Sequence, residues 1–229
     1  MNADSIEDST SLDMVNMKNE EVNMIGVDAL VNLADKLGII TAVKDKLIKR
    51  PDPAADKLIT ALEELAKVFE ALNSEMSKYL SVTFYDGQEF KERAEERAHL
   101  VELEGGQISA RMARARGHCR KIINIYDKYL VTWFDNVLSQ EESQKMRELF
   151  EALAESDAHM IAAIDEVSFW LSRQAEETLN MVDNGEFDKA DRKVKKARIE
   201  VLSKRKTIAQ ALTTLFDLQS EFIGISGVV

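Results

Sequence analysis

Apolar residues in this chain recur at three- and four-residue steps over long stretches, the spacing of one face of an α-helix. The longest run is Phe187, Ala190, Val194, Ala197, Val201, Lys204, Ile208, Ala211, Leu215, Leu218 and Phe222, in which only Lys204 breaks the apolar series. This is a heptad seam five repeats long, and at 1.5 Å per residue it predicts a rod of roughly 54 Å. A second seam, Leu58, Leu62, Leu65, Phe69, Leu72, Met76 and Tyr79, predicts a helix that starts near Pro53 and ends near Asp86-Gly87. A third, Phe150, Leu153, Asp157, Met160, Ile164, Val167 and Leu171, lies in a helix expected from Ser139 to about Val182. Asp157 is its polar misfit. Beyond Leu171 the same register lands on Gln174 and Thr178, so packing there is expected to loosen or shift to another face. Between the second and third seams the pattern predicts a polar helix over about 88–104 and a longer one over 107–138. The longer helix ends in Ile122, Ile123, Tyr126, Tyr129, Leu130, Trp133, Phe134 and Val137, an aromatic end expected in the core.

Punctuation agrees with these elements. Both prolines, Pro51 and Pro53, lie in one short linker, where Asp52 reads as an N-cap and Pro53 as the first helical residue; none follows them. Ser139-Gln140-Glu141-Glu142 is a capping box. Gly105-Gly106 separates two helices, and Gly117 marks a bend or a close approach inside the next. Upstream, residues 22–48 are strongly apolar. Gly38 reads as the C-cap of a first short helix and Thr41 as the cap of a second. Asp183-Asn184-Gly185 is a turn. The stretch from Asn184 to Ala190 resembles the turn and second-helix start of tetratricopeptide repeats; no 34-residue period accompanies it, so the resemblance implies only a tight antiparallel hairpin. Charge supports the hairpin. Residues 135–188 hold fourteen acids and three bases, and residues 189–206 hold nine bases and two acids, so the two helices carry opposite signs along their flanks.

The fold expected is therefore all-α: an elongated antiparallel bundle of four to five long helices over 51–229, preceded by a short apolar helical pair over 22–50 and a disordered acidic tail over 1–21. With 229 residues, 45% of them hydrophobic, the chain can bury a substantial core. Its net charge of −11 disfavours nucleic acid and anionic membranes as general partners. A lone cysteine, Cys119, and an acidic start without signal-peptide character place the chain in the cytoplasm.

Candidate chemistry is sparse. Arg111, Arg114, Arg116, Arg120 and Lys121 form the densest basic cluster, with no acid between Gly105 and Ile125. They are candidate binding residues, for a phosphate or for acidic segments of the same chain. Glu96 and His99 have the E-x-x-H spacing of ferritin-like metal sites; such sites need two motifs, and around His159 a serine, Ser156, stands where the glutamate would be. No metal or other cofactor is expected. Arg93 and His99 have an R-x5-H spacing that resembles the helical HEPN ribonucleases, although Ala94 follows the arginine where that class carries a polar residue. Arg111 and His118 nearly repeat the spacing. There is no phosphate-binding glycine loop, no CxxC pair and no G-x-S-x-G.

The favoured reading is a non-enzymatic helical interaction or scaffold protein that binds protein partners or itself. In the alternative, the chain is a membrane-active effector that acts in the manner of helical pore-forming toxins or HeLo-type cell-death bundles, with its apolar segment 22–48 inserting into lipid; Ile25, Val27, Leu30, Val31, Leu37, Ile39 and Ile40 then form the segment that meets a membrane or a partner. A HEPN-like ribonuclease is the third reading.

Overall fold

The computed structural model describes residues 32–49, 53–82, 107–154 and 160–226. The protein is all-α, with no strand among the described residues. Its helices are α1 (Gly38–Ile48), α2 (Ala54–Val82), α3 (Gln107–Ile125), α4 (Val131–Val137), α5 (Gln140–Ala154), α6 (Met160–Asp183) and α7 (Phe187–Ser226); a π-helical turn, Tyr126–Leu130, joins α3 to α4.

Four rods form the body. Contacts fix their directions. Arg198 on α7 donates to the carbonyl of Leu80 and Arg205 to Asn73, so α7 runs antiparallel to α2. His118 on α3 meets Glu64, and Tyr129 further along that rod meets Lys57, so α3 is antiparallel to α2 as well. On the opposite side Arg116 reaches Asp165 on α6 while Tyr126 stacks on Phe150 of α5, which places α5 and α6 in line against α3. The result is an up-down-up-down bundle. In it α2 packs between α3 and α7, and α6 between the same two on the other side.

The predicted seams supply the interior. All seven residues from Leu58 to Tyr79 are buried on α2, joined by Ile59, Ala61, Ala66, Val68 and Leu80, because helices flank α2 on both sides. On α7 every seam residue from Ala190 to Phe222 is buried except Lys204, which is half-buried, as is Phe187 at the start. On α6 the register continues past Leu171 through polar residues without loosening. Gln174 and Thr178 are buried, the Thr178 hydroxyl donates to the carbonyl of Gln174 one turn back, and Ala175, Leu179 and Val182 widen the apolar face beside them. A threonine can be buried on a helix because its own backbone accepts its proton.

Helix ends follow local rules. At the start of α5 the Ser139 amide donates to Glu142 Oε2 at 2.9 Å and the Glu142 amide donates to Ser139 Oγ at 3.4 Å, the reciprocal capping box. The α6–α7 turn is a Schellman motif. The Glu186 amide donates to the Met181 carbonyl at 2.8 Å, the Gly185 amide to that of Val182 at 3.0 Å, and Gly185 takes a positive φ of 77°. That turn realises the predicted hairpin. Of the opposite charges along it, Lys193 pairs with Glu177 across the two helices, whereas Lys195 pairs with Asp191 on α7 itself and Lys189 with Glu186 in the turn.

Two local expectations are corrected. Gly38 does not cap a helix; it opens α1, and Thr41 lies inside α1. Helical residues 32–36 lead into it through Leu37, which keeps right-handed angles, φ −58° and ψ −25°, with Leu37 and Ile40 closing tight three-residue turns. The chain tightens there instead of reversing, which holds Leu33, Leu37 and Ile40 on one buried side. The helix expected over 139–182 is described in two stretches, α5 ending at Ala154 and α6 starting at Met160; Asp157, the misfit of its seam, lies outside the described residues. Finally Tyr129, expected in the aromatic core, is exposed within the π turn and lies under the Lys57 ammonium, 5.3 Å from its ring centre. Its neighbours Tyr126, Leu130, Trp133 and Phe134 are buried as expected.

The α1 helix packs against α5 and α7. Leu37, Ile40, Val43 and Leu47 recur at helical spacing and are buried in the same core cluster as the four rods. At its edges Lys44 pairs with Glu221 of α7 at 2.6 Å and Lys46 with Glu142 of α5 at 2.5 Å. Each fully buried aliphatic side chain contributes about 1.5–3 kcal/mol, so freeing α1 from the bundle is opposed by several such terms together.

Candidate functional site

The basic cluster on α3 is divided between neighbours. Arg116 turns to α6 and holds Asp165 at 2.6 Å, whereas Lys121 turns to α2 and stands 3.4 Å from Glu64. Arg114 and Arg120 are exposed, with no ion pair to either among the described residues. Arg111 lies on α3 in the first turns. A phosphate site needs several donors converging on one point. Here two cations of the cluster are committed to carboxylates on opposite sides of the rod, as the reading of internal acidic partners expected.

Glu64 is the centre of the charged contacts between α2 and α3. It is 6% exposed, and its carboxylate meets His118 Nδ1 at 2.5 Å, Lys67 Nζ at 2.9 Å and Lys121 Nζ at 3.4 Å. Burial pushes its pKa up, but the hydrogen bonds from Lys67 and His118 and their charges outweigh burial and hold it at about 2. His118 therefore serves a carboxylate through one ring nitrogen, an arrangement that ties two helices together. The spacing of Arg111 and His118 had drawn attention to this imidazole, but sequence alone did not pair it with Glu64, fifty-four positions away. Arg93, Glu96 and His99 lie outside the described residues, as does His159. Among the described residues no group of three or more His, Cys, Asp and Glu side chains could hold a metal ion.

A cleft of about 410 Å³ lies where α4 turns into α5, lined by Asp135, Leu138, Gln140, Ser143, Gln144 and Arg147. Ser143 donates a hydrogen bond to Asp135, whose other oxygen lies 3.7 Å from Arg147. The acid and base balance one another, and no described imidazole lines the cleft to activate the serine, so the arrangement lacks the nucleophile–base pair of covalent catalysis. Cys119 is equally inert: it is buried, and burial pushes its thiol up to about 12.

Of the segment singled out for a membrane or a partner, Leu37 and Ile40 are buried in the bundle and Ile39 is half-buried against it; Ile25, Val27, Leu30 and Val31 lie outside the described residues. Among the described residues no helix is long and apolar enough to cross a membrane.

The most conspicuous surface feature lies elsewhere, on the outer side of α7. Ile199, Leu202, Phe216 and Ile223 are 71%, 46%, 45% and 52% exposed. Leu202, Ala209, Phe216 and Ile223 stand seven residues apart, all exposed, and Ile199, Lys206, Thr213 and Ser220 fill the intervening positions three residues earlier. This is a second 3-4 register on the same helix, with its own apolar row. The inner seam hides it in the sequence, because a pattern search that has accounted for one face reads the remaining apolar residues as scatter.

Comparisons with protein families, with curated proteins and with solved structures returned no match to this chain.

Proposed function

We propose that the chain is a non-enzymatic helical interaction protein, a rigid bundle that offers a helix face to a protein partner. The observation that supports it is the exposed apolar row on α7, set against an interior whose polar contacts all serve the fold. Single exposed apolar residues are ordinary on a protein surface, but a row at heptad spacing along one rod is the form in which one helix packs on another. Among the described residues the polar groups that could have carried catalysis have structural partners instead: Glu64 with His118, Arg116 with Asp165, Ser143 with Asp135.

The test uses the full chain and a variant carrying Leu202→Glu and Phe216→Glu. Light scattering measures self-association, and capture from a cell lysate measures other partners. The wild type is expected to associate with itself or retain a protein that the variant does not. A wild type that is monomeric and captures nothing the variant fails to capture would defeat the proposal.

A further inference from the structure

The partner that fits the outer row of α7 is a second copy of the same helix running the opposite way, and we propose that the chain forms an antiparallel two-fold dimer along it; the inference rests on the interaction reading above. The register follows from the positions. In an antiparallel pair each residue of the first heptad position faces one of the fourth across the axis. With the two-fold axis at the level of residue 211, Ile199 faces Ile223, Leu202 faces Ser220, Lys206 faces Phe216 and Ala209 faces Thr213, so all eight outer residues are used once per helix. From Ile199 to Ile223 the contact spans about 36 Å of helix.

Charge selects the direction. Residues 187–206 of α7 carry nine bases and three acids, whereas residues 207–226 carry Asp217 and Glu221 and no base. A parallel pair would lay the basic half on itself and set Lys206 over Lys206. The antiparallel pair lays residues 196–206 of each copy, with five bases and one acid, on residues 216–226 of the other, which carry Asp217 and Glu221 and no base. Lys206 then comes level with Phe216 and Asp217 of its counterpart, where its alkyl stem covers the ring and its ammonium meets the carboxylate. All three residues are exposed in the single chain. Lys206, which looks like a defect in an apolar row, becomes the residue that sets direction, a role polar groups commonly play in helix pairs.

The experiment is sedimentation and disulfide trapping on the full chain. Wild-type protein is expected to sediment as a dimer at concentrations up to roughly 100 µM, and Phe216→Lys, which sets a like charge against Lys206, to weaken the dimer at least about tenfold. Circular dichroism should show unchanged helix content for that variant, because the side chain is exposed. For the register, an Ala209→Cys chain is mixed with a Thr213→Cys chain and oxidised; the buried Cys119 stays silent, as wild-type protein under the same oxidation will show. Peptides linking 209 to 213 are expected to outnumber 209–209 and 213–213 links. A dimer that survives Phe216→Lys, or like-to-like links in excess, overturns the proposed surface or its direction. A monomeric wild type that captures another protein through α7 overturns the dimer and leaves the interaction reading standing, whereas an outer row that proves to be covered by the chain's own residues 22–31 overturns both. A monomer that captures nothing defeats both.

Discussion

Leu215 and Phe216 are adjacent on α7, similar in size and apolar, yet one is wholly buried and the other is 45% exposed. They belong to the two faces of one helix. The inner face, from Ala190 to Phe222, is covered by α2 along its length, by α6 near the hairpin and by α1 toward the other end. The outer face, from Ile199 to Ile223, repeats at the same spacing and is covered by none of the described elements. Periodicity therefore reveals how many faces a helix can bury, and says nothing about what buries them. The inner face makes the fold; the outer one is where function is to be sought.

The sharpest test of that contrast is the pair of neighbours. Leu215→Ala removes a fully buried side chain between packed rods and is expected to cost about 2–5 kcal/mol of stability. Phe216→Ala should alter monomer stability by no more than about 0.5 kcal/mol, since it vacates surface. Urea unfolding of dilute protein measures both. Equal losses would mean that the outer face is covered within the single chain, and the comparison would fail.

The contrast extends to charges. Glu64 is as hidden as the apolar seam beside it, so Glu64→Gln is expected to cost about 1–3 kcal/mol by depriving His118 and Lys67 of their anion. Acid sharpens this into a signature. The folded carboxyl, at about 2, binds its proton far less readily than the ordinary carboxyl at 4.5. Its contribution is thus fully present above about pH 4.5 and is lost as pH falls toward 2. The stability gap between wild type and Glu64→Gln should close as pH falls through that window. By comparison, Glu141 at the exposed start of α5, whose pKa is lowered by the hydrogen bond and charge of Lys145, is expected to leave little trace when changed to Gln, because solvent screens the pair.

Much of this arrangement was legible before any coordinates, and the boundary of legibility is physical. Seams, the Ser139 capping box and the Gly185 hairpin are local: their residues lie within one or a few helical turns, so spacing alone exposes them. Glu64 with His118 and Arg116 with Asp165 are not local. Which face of α3 meets which neighbour depends on the rotation of whole rods, and five cations in eleven positions read as one cluster until the bundle divides them. Tyr129 lies within the π turn at Tyr126–Leu130, whose wider winding departs from the 3.6-residue period that assigned it to the core, and no residue type announces such a turn. Gln174 and Thr178 looked like the end of a seam because polarity was counted without asking whether the hydroxyl had a partner of its own; Thr178 does.

The phase of α7, and hence which of its faces looks inward, is set by the turn that precedes it. Gly185 holds φ at 77°, and a methyl group added there would meet no atom within 4 Å. Gly185→Ala should therefore cost about 1 kcal/mol through backbone strain alone, without a clash. A loss several times larger would show that the turn is strained further by the packing of α7, and that the division between its faces is held from the hairpin as well as from the core.

Gly117 supplies the opposite sign from the same empty surroundings. It lies in mid-helix on the outer side of α3, exposed, and an added methyl group would again meet nothing within 4 Å. Neither a close approach nor a positive φ accounts for a glycine at this position. Gly117→Ala should consequently raise stability by about 0.5–1 kcal/mol, through the smaller backbone entropy lost on folding. Thermal and urea unfolding would both register the gain. Should alanine destabilise instead, some segment outside the described residues must press on α3 there, and the acidic stretches at 1–21 and 88–104, opposite in sign to Arg114 and Arg120 beside it, would be the first to examine by cross-linking.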